Sequence, residues 1–297
     1  MSDIRVVLVT YSPGDSLASL LTSLPHATSH DYEVILADNG SIDGSVEAAA
    51  LADPRRVRVT RTGGNLGYGA AANVGAIGSK ADWLLIANPD IVFAPGSIDA
   101  LIDCGQRWPG GGAFGPLIRT PEGALYPSAR AQPTLGRGVG HAIFGWWWPS
   151  NPWTAAYRRE RGEPVEGPAG WLSGSVMLIR PEAWAAVGGF DDTYFMYFED
   201  VDLGARMTEA GWQNVYVPSA VVTHDGGHAT KKSPARMLKA HHDSALTFLS
   251  RRYSGWPLAP LRWLLKLGLW IHLHLSTRIG SMAQGAAPTR THIPEEK

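Results

Sequence analysis

The sequence is short of cysteine, of net charge and of uninterrupted apolar stretches, and each shortage removes a class of protein. Its 297 residues include a single cysteine, Cys104. No internal disulfide can form, and a reducing compartment is expected. No set of cysteines and histidines has the spacing of a zinc site. The formal net charge is −1, so no overall field draws nucleic acid and no such partner is expected. The apolar run from Val6 to Val9 is too short for the core of a secretory leader, and Asp3 precedes it. A cytoplasmic location is the expectation. The most hydrophobic stretch, 256 to 280, is broken by Arg262 and Lys266, and His272 and His274 follow. It thereby falls short of the roughly 20 apolar residues that span a bilayer. Two placements stay open for it: a helix lying on a membrane surface, or a helix packed on the domain core. No internal repeat is present.

What the chain does have is a core-forming composition. Hydrophobic residues make up 44% and charged residues 18%, enough for one large domain or two modest ones and unlike a disordered chain. The first hundred residues alternate between two periods. "IRVVLVTY", "YEVILADN", "RVRVTRT" and "ADWLLIANPD" read as strands, the first a buried β-branched run. "DSLASLLTSL", "SVEAAALA", "GYGAAANVGAIGS" and "GSIDALIDCGQRW" read as the intervening helices. In the first of these Leu17, Leu20, Leu21 and Leu24 share a face, and Asp15 or Ser16 is the expected cap. Repeated strand–helix units predict an α/β fold, a mostly parallel sheet with helices on both faces. Further on, "GGGAFGPLI" is expected to be a strand, and "GWLSGSVMLIRPEAWAAVGGF" a strand and short helix. "EDVDLGARMTEAGW" is expected as a helix and "VYVPSAVVTHDGG" as a strand. Residues 234 to 252 form a predicted helix, and the tail after Gly280 is expected to be disordered. Between them, 120 to 168 is rich in Pro, Gly and Trp and reads as a long irregular loop, a candidate lid. Its "FGWWWPSNPW" fits either contact with sugar or lipid or a small core of its own.

In such sheets ligands bind beyond the carboxyl ends of the strands, so the residues just after each strand carry the chemistry. These are Thr10-Tyr11-Ser12, Asp38-Asn39, Asn65-Leu66-Gly67 and Asn88-Pro89-Asp90. Asp38 can accept the imide N–H of a uracil or thymine ring, or serve a turn, with Ser41 and Asp43 capping the next helix. Asn65 and Gly67 can let the backbone approach a sugar nucleotide closely. Gly67, Gly69 and Ala72 also match the dinucleotide pattern G-x-G-x-x-A, with Asp90 at a suitable distance. A nicotinamide oxidoreductase therefore competes, although the pattern follows the third strand and the first turn, "TYSPGD", lacks the glycines. Asp90, at a strand tip, can hold Mg²⁺ or Mn²⁺ with diphosphate oxygens, and Asn88 can add a neutral ligand or hydrogen bond. His224, ending "SAVVTH", is a second potential metal ligand. In "YFMYFEDVDLGAR" three acids, Glu199, Asp200 and Asp202, follow an aromatic run. The helix macrodipole accounts for one or two acids at a helix start. A carboxylate desolvated by aromatics can take a proton from a sugar hydroxyl.

These pieces occur together and in order, and the chain resembles the family 2 glycosyltransferases of the GT-A fold over roughly residues 4 to 228. The resemblance rests on "VVLVTYSPGDSLASLLTSL", "EVILADNGSIDGS", "GGNLGYGAAANVG", "ADWLLIANPDI", "GWLSGSVMLIRPEAWAAVGGFDDTYFMYFEDVDLGARMTEAGW" and "VVTH". It implies a catalytic domain over 1–230, with a nucleotide-sugar half (1–110) and an acceptor half (111–230). C-terminal helices over 231–282 and a disordered tail over 283–297 would follow. It implies that Thr10, Tyr11, Ser12, Asp38, Asn39, Asn65, Gly67 and Asn88 line the nucleotide pocket. Asp90 matches the last acid of the metal-binding D-x-D, whose first position is Asn88 here, as in rhamnosyltransferase-like members. His224 matches the second ligand of a Mg²⁺ or Mn²⁺ ion. Asp200 matches the general base, and Trp171, Ser173 and Glu199 fall where the acceptor is met. Within the family the likeness is to enzymes of arabinogalactan-linker synthesis. That implies dTDP-β-L-rhamnose as nucleotide-sugar donor, and a polyprenyl-diphosphate-linked N-acetylglucosamine as acceptor at the inner face of the cell membrane. Two other classes remain: the oxidoreductase, and a sugar-nucleotide-binding module without turnover.

Overall fold

In the computed structural model of the protein, residues 2–133, 164–226 and 234–270 are described. Residues 144 to 153 with their three consecutive tryptophans, most of the candidate lid, and the tail after Gly280 lie outside them. The chain divides into two compact units, Met1–Ala229 and Thr230–Lys297.

The first unit is built on one sheet. Its parallel half consists of β1 (Ile4–Thr10), β2 (Tyr32–Asp38), β3 (Val57–Arg61) and β4 (Trp83–Ala87), arranged β3-β2-β1-β4. β1 is buried along its length except at Arg5, as expected of a strand covered on both faces. Its side chains alternate between two cores. Val6 and Leu8 join the leucines of α1 (Asp15–Ala27), Val46 and Ala49 of α2 (Ser45–Ala52), and Ile98 and Leu101 of α4 (Ser97–Arg107). Val7 and Val9 join α3 (Tyr68–Ala76), α5 (Pro181–Val187) and α6 (Glu199–Glu209) on the other face. The small residues of α3 have a packing reason. A Cβ on Gly75 would lie 2.4 Å from Val7 Cγ1, so this helix rests closer to the sheet than a larger residue permits.

Beyond β4 the order continues β11-β6-β12-β5, where β5 is Ile91–Phe93, β6 Gly111–Arg119, β11 Val176–Ile179 and β12 Gln213–His224. β6 and β12 run parallel to each other, but β11 lies antiparallel between β4 and β6, and β5 lies antiparallel to β12. The sheet is therefore mixed on this side. The short strands β7 (Leu125–Tyr126), β8 (Ala129–Arg130), β9 (Gly167–Ala169) and β10 (Trp171–Leu172) add to it or form a two-stranded ribbon, β8 with β10. The described parts of 120–168 are thus ordered, in contrast to the irregular loop expected. β12 shifts register between Val217 and Val221. Pro218 lies in that interval and has no N–H to give the ladder. The second unit contains α7 (Pro234–Arg252), a 3₁₀ turn (Trp256–Leu258) and a helical stretch from 259 to 270. Among the described residues no helix is long and apolar enough to cross a membrane.

Candidate active site

The carboxyl ends of β1, β2, β3, β4 and β12 meet at one edge of the sheet, and the polar tips gather there. Asp38, fully buried at the end of β2, is the hub of the first cluster. It accepts hydrogen bonds from Thr10 Oγ1 at 3.1 Å and from the Ser41 N–H at 2.9 Å, and it pairs with the Arg61 guanidinium. Burial alone would raise its carboxyl; the bonds from Ser41 and Thr10 and the charge of Arg61 outweigh that and hold it below the usual aspartate range. Arg61 reaches on to Glu47. Tyr11, next to this cluster, is 55% exposed, and its ring is open to stack on a planar ligand.

Other tip residues serve the protein's own backbone. Thr10 is buried and its hydroxyl is spent on Asp38. Ser12, at φ 50°, ties two loops together: its N–H donates to Ser41 Oγ and its Oγ accepts from the Ile42 N–H. Asn39 is buried, donates to the Gly67 carbonyl at 3.0 Å and accepts from Thr62 Oγ1 and the Leu66 N–H. Asn65 is exposed and accepts the Gly67 N–H. The side-chain hydrogen bonds of Thr10, Ser12 and Asn39 are made to the protein itself. The helix caps differ too. Gly14 and Gly44 precede α1 and α2 without side-chain caps, and Asp43 accepts N–H groups from Gly14 and Ser45.

Gly67 has a packing reason of its own. Its φ is 91°, and a Cβ there would lie 2.2 Å from the Phe195 carbonyl oxygen. The next N–H, of Tyr68, donates to that same oxygen at 3.0 Å. A Cβ on Gly69 would meet Phe190 Cβ at 2.8 Å. The space a side chain would take at these glycines is filled by the 190–198 segment.

That segment delivers the acids. Tyr197 and Phe198 both have φ 68°, a left-handed conformation costly for non-glycine residues. The Gly67 clamp holds the chain just before them, and α6 starts just after. Asp200, partly exposed, accepts the Gly174 N–H through Oδ2 at 2.9 Å and the Val201 N–H through Oδ1 at 2.8 Å. Burial raises its carboxyl; these two amides and the charge of Arg130 work against the rise. The Tyr68 hydroxyl donates to the Gly174 carbonyl, fixing the same residue from its other side. Burial, then the charges of Glu199, Asp200 and Asp90, raise the Tyr68 phenol well above its ordinary value, which keeps it a neutral donor.

The tip of β4 lies beside Asp200. The Asn88 N–H donates to the Ser175 carbonyl at 2.9 Å, one residue from the amide that holds Asp200. His224 pairs with Ile91 in the β12–β5 ladder, so two residues 134 apart in sequence converge: His224 Nε2 and Asp90 Oδ1 are 3.0 Å apart. The edge of Tyr126 packs on the imidazole, with centroids 6.4 Å apart.

The three residues expected to meet the acceptor, Trp171, Ser173 and Glu199, are buried in this fold. Trp171 is buried against Gly204 of α6, its indole N–H bonded to the Ala131 carbonyl and its ring beneath Arg130. Ser173 is buried, its hydroxyl facing Ser175 Oγ at 3.1 Å. Glu199 is 7% exposed and faces the interior. A turn that looks polar in sequence packs inward, because β10 and β11 bring it under α6.

The comparisons with known proteins can now be set beside this geometry. The profile of "Glycosyl transferase family 2" matches residues 5–160, and that of "Glycosyltransferase like family 2" matches 160–242. A Mycobacterium tuberculosis protein named N-acetylglucosaminyl-diphospho-decaprenol L-rhamnosyltransferase is 53% identical over 290 residues, covering 94% of each chain. Rhamnosyltransferase WbbL of Escherichia coli K12 is 26% identical, over 84% of this chain and 93% of its own. The chain belongs to glycosyl transferase family 2. The crystal structure of GalNAc-T7 with UDP, GalNAc and Mn²⁺ superposes with a TM-score of 0.56 at 15% identity, over 75% of this chain and 44% of that one. The architecture is thereby the GT-A fold, and the protein is a glycosyltransferase.

Sequence reasoning missed three residues of this glycosyltransferase. Arg61 stands at a strand end, where charge could have been noticed as the partner of Asp38. Tyr68 opens a helix among small residues, where an aromatic is conspicuous. Arg130, stacked on Tyr126 and Trp171, sits in an aperiodic stretch that gives no signal.

Proposed function

We propose that this glycosyltransferase transfers L-rhamnose from dTDP-β-L-rhamnose to a polyprenyl-diphosphate-linked N-acetylglucosamine, with inversion at the anomeric carbon. The name of the mycobacterial relative supports the sugar and the acceptor, and the family resemblance supports the thymidine nucleotide. One observation carries the chemical reading: Asp200 is held by two backbone amides at the same sheet edge where Asp90 and His224 converge. An ionised Asp38 and the open ring of Tyr11 suit a pyrimidine base.

The carboxylate oxygen and imidazole nitrogen at Asp90 and His224 form a donor set that fits Mg²⁺ or Mn²⁺. Among the described residues no group of three or more acids, histidines or cysteines could hold a metal ion. Such an ion supplies Lewis-acid stabilisation of the leaving diphosphate. Asp200 takes the proton from the acceptor hydroxyl while that oxygen attacks C1. The bond from C1 to the diphosphate oxygen breaks on the opposite face, and the electron pair leaves with dTDP. One displacement suffices, without a sugar–enzyme intermediate.

The second unit supports an address at the inner face of the cell membrane. Trp256, Trp263, Leu264 and Trp270 are exposed. No acid occurs between Asp243 and Glu295, whereas Arg251, Arg252, Arg262 and Lys266 fall in that interval. Apolar and basic groups together suit an anionic lipid surface.

The test is a screen of dTDP- and UDP-sugars with the lipid-linked acceptor, with products followed by mass. A deoxyhexose added from dTDP-rhamnose alone is the expected result. Transfer of another sugar in preference would overturn the donor assignment.

A further inference from the structure

Two neighbouring carboxyl groups open α6, and their surroundings differ sharply. Asp200 accepts two backbone N–H groups and lies in the field of Arg130. Glu199 has less support: only its own backbone N–H works against the rise of its carboxyl. It is 7% exposed, and its Oε2 atom accepts no hydrogen bond. The α3 backbone covers it: a Cβ on Gly69 would be 3.6 Å from Glu199 Cβ. The titratable groups facing it are Asp200 on its own helix, Tyr68 from α3 and Tyr197 from the preceding segment. None of them is a cation. A buried charge with one oxygen lacking any donor, beside a second charge, is disfavoured, while a neutral carboxylic acid in the same place is not.

Resting on the reading of Asp200 as base, we propose that the pair works as a monoanion: Glu199 holds a proton at neutral pH, Asp200 holds the charge, and Glu199 is a positioning residue that keeps its neighbour in the base form. Burial, followed by the charge of Asp200, pushes the Glu199 carboxyl up to about 8. Above that pH a second negative charge would appear inside the pair, beside Asp200. Transfer then falls on the alkaline side.

Stability carries the same signature. The folded enzyme holds a proton that the unfolded chain releases at the ordinary glutamate value. This contribution is complete below that value and is lost as pH rises through about 8.

The experiment uses the full chain with Glu199→Ala, Glu199→Gln and Asp200→Asn. Steady-state transfer and thermal melting are followed from acid to alkaline pH. Glu199→Ala is expected to lower kcat by about tenfold or more, and the neutral isostere Glu199→Gln to restore it to within about threefold of wild type at neutral pH. The wild-type alkaline limb near pH 8 should be missing in Glu199→Gln, and its melting temperature should fall less with rising pH. A folded Glu199→Gln that stays as impaired as Glu199→Ala would overturn the proposal, as would identical alkaline limbs and melting slopes in wild type and Glu199→Gln. Asp200→Asn separates the two claims. Full transfer by that variant removes the base, whereas the melting comparison still reads the proton on Glu199.

Discussion

Asp90 and His224 touch each other at 3.0 Å, and each gives one ligand to the same candidate cation. Removing either leaves a single protein donor. His224→Ala and Asp90→Asn are therefore expected to need at least about tenfold more Mn²⁺ for half-maximal activity, the usual scale for loss of support at a metal site. Titration of activity against Mn²⁺ checks this, and an unchanged curve would return both residues to a structural role. Their pairing was legible one residue at a time: each ends an apolar run with a group that binds metals. That the two meet was not, because it depends on β5 folding back against β12. Thr10, Ser12 and Asn39 show the opposite limit. Their positions at strand tips were readable, but a hydroxyl or amide bonded to backbone or to Asp38 has the same letter as one that faces a ligand.

Among the elements, the junction between α3 and the 190–198 segment decides where the base stands. Gly67 combines a positive φ with a carbonyl oxygen 2.2 Å from where a Cβ would sit. Gly67→Ala should destabilise the protein by about 1–3 kcal/mol from overpacking and strain, and should lower transfer further by shifting Phe198 and α6. Gly63 serves as the control: its φ of 83° is similar, but nothing lies within 4 Å. Equal melting temperatures for the two alanine variants would show that the clamp on Phe195 is unimportant. The regular elements were readable because β-branched runs and leucine spacing belong to the two periods of secondary structure. The two-residue strands β7, β8 and β10 have no period to detect.

For the whole molecule, the proposed acceptor carries a lipid, and no helix among the described residues is long and apolar enough to cross a membrane. The exposed tryptophans and acid-free stretch of the second unit predict binding of the intact protein to vesicles of anionic lipid, weakened by salt and weaker still on zwitterionic vesicles. Trp263→Ala should reduce sedimentation with the vesicles while leaving transfer to a short-chain soluble acceptor intact. Equal binding to both vesicle types would contradict an electrostatic contribution. The central claim concerns the sheet edge, where one aspartate opposes a metal-ligating pair. Its most direct test is single-turnover transfer by Asp200→Asn, with donor affinity measured on the same sample. The account predicts unchanged donor binding and transfer slower by about 10²–10⁴-fold; transfer at the wild-type rate would contradict it.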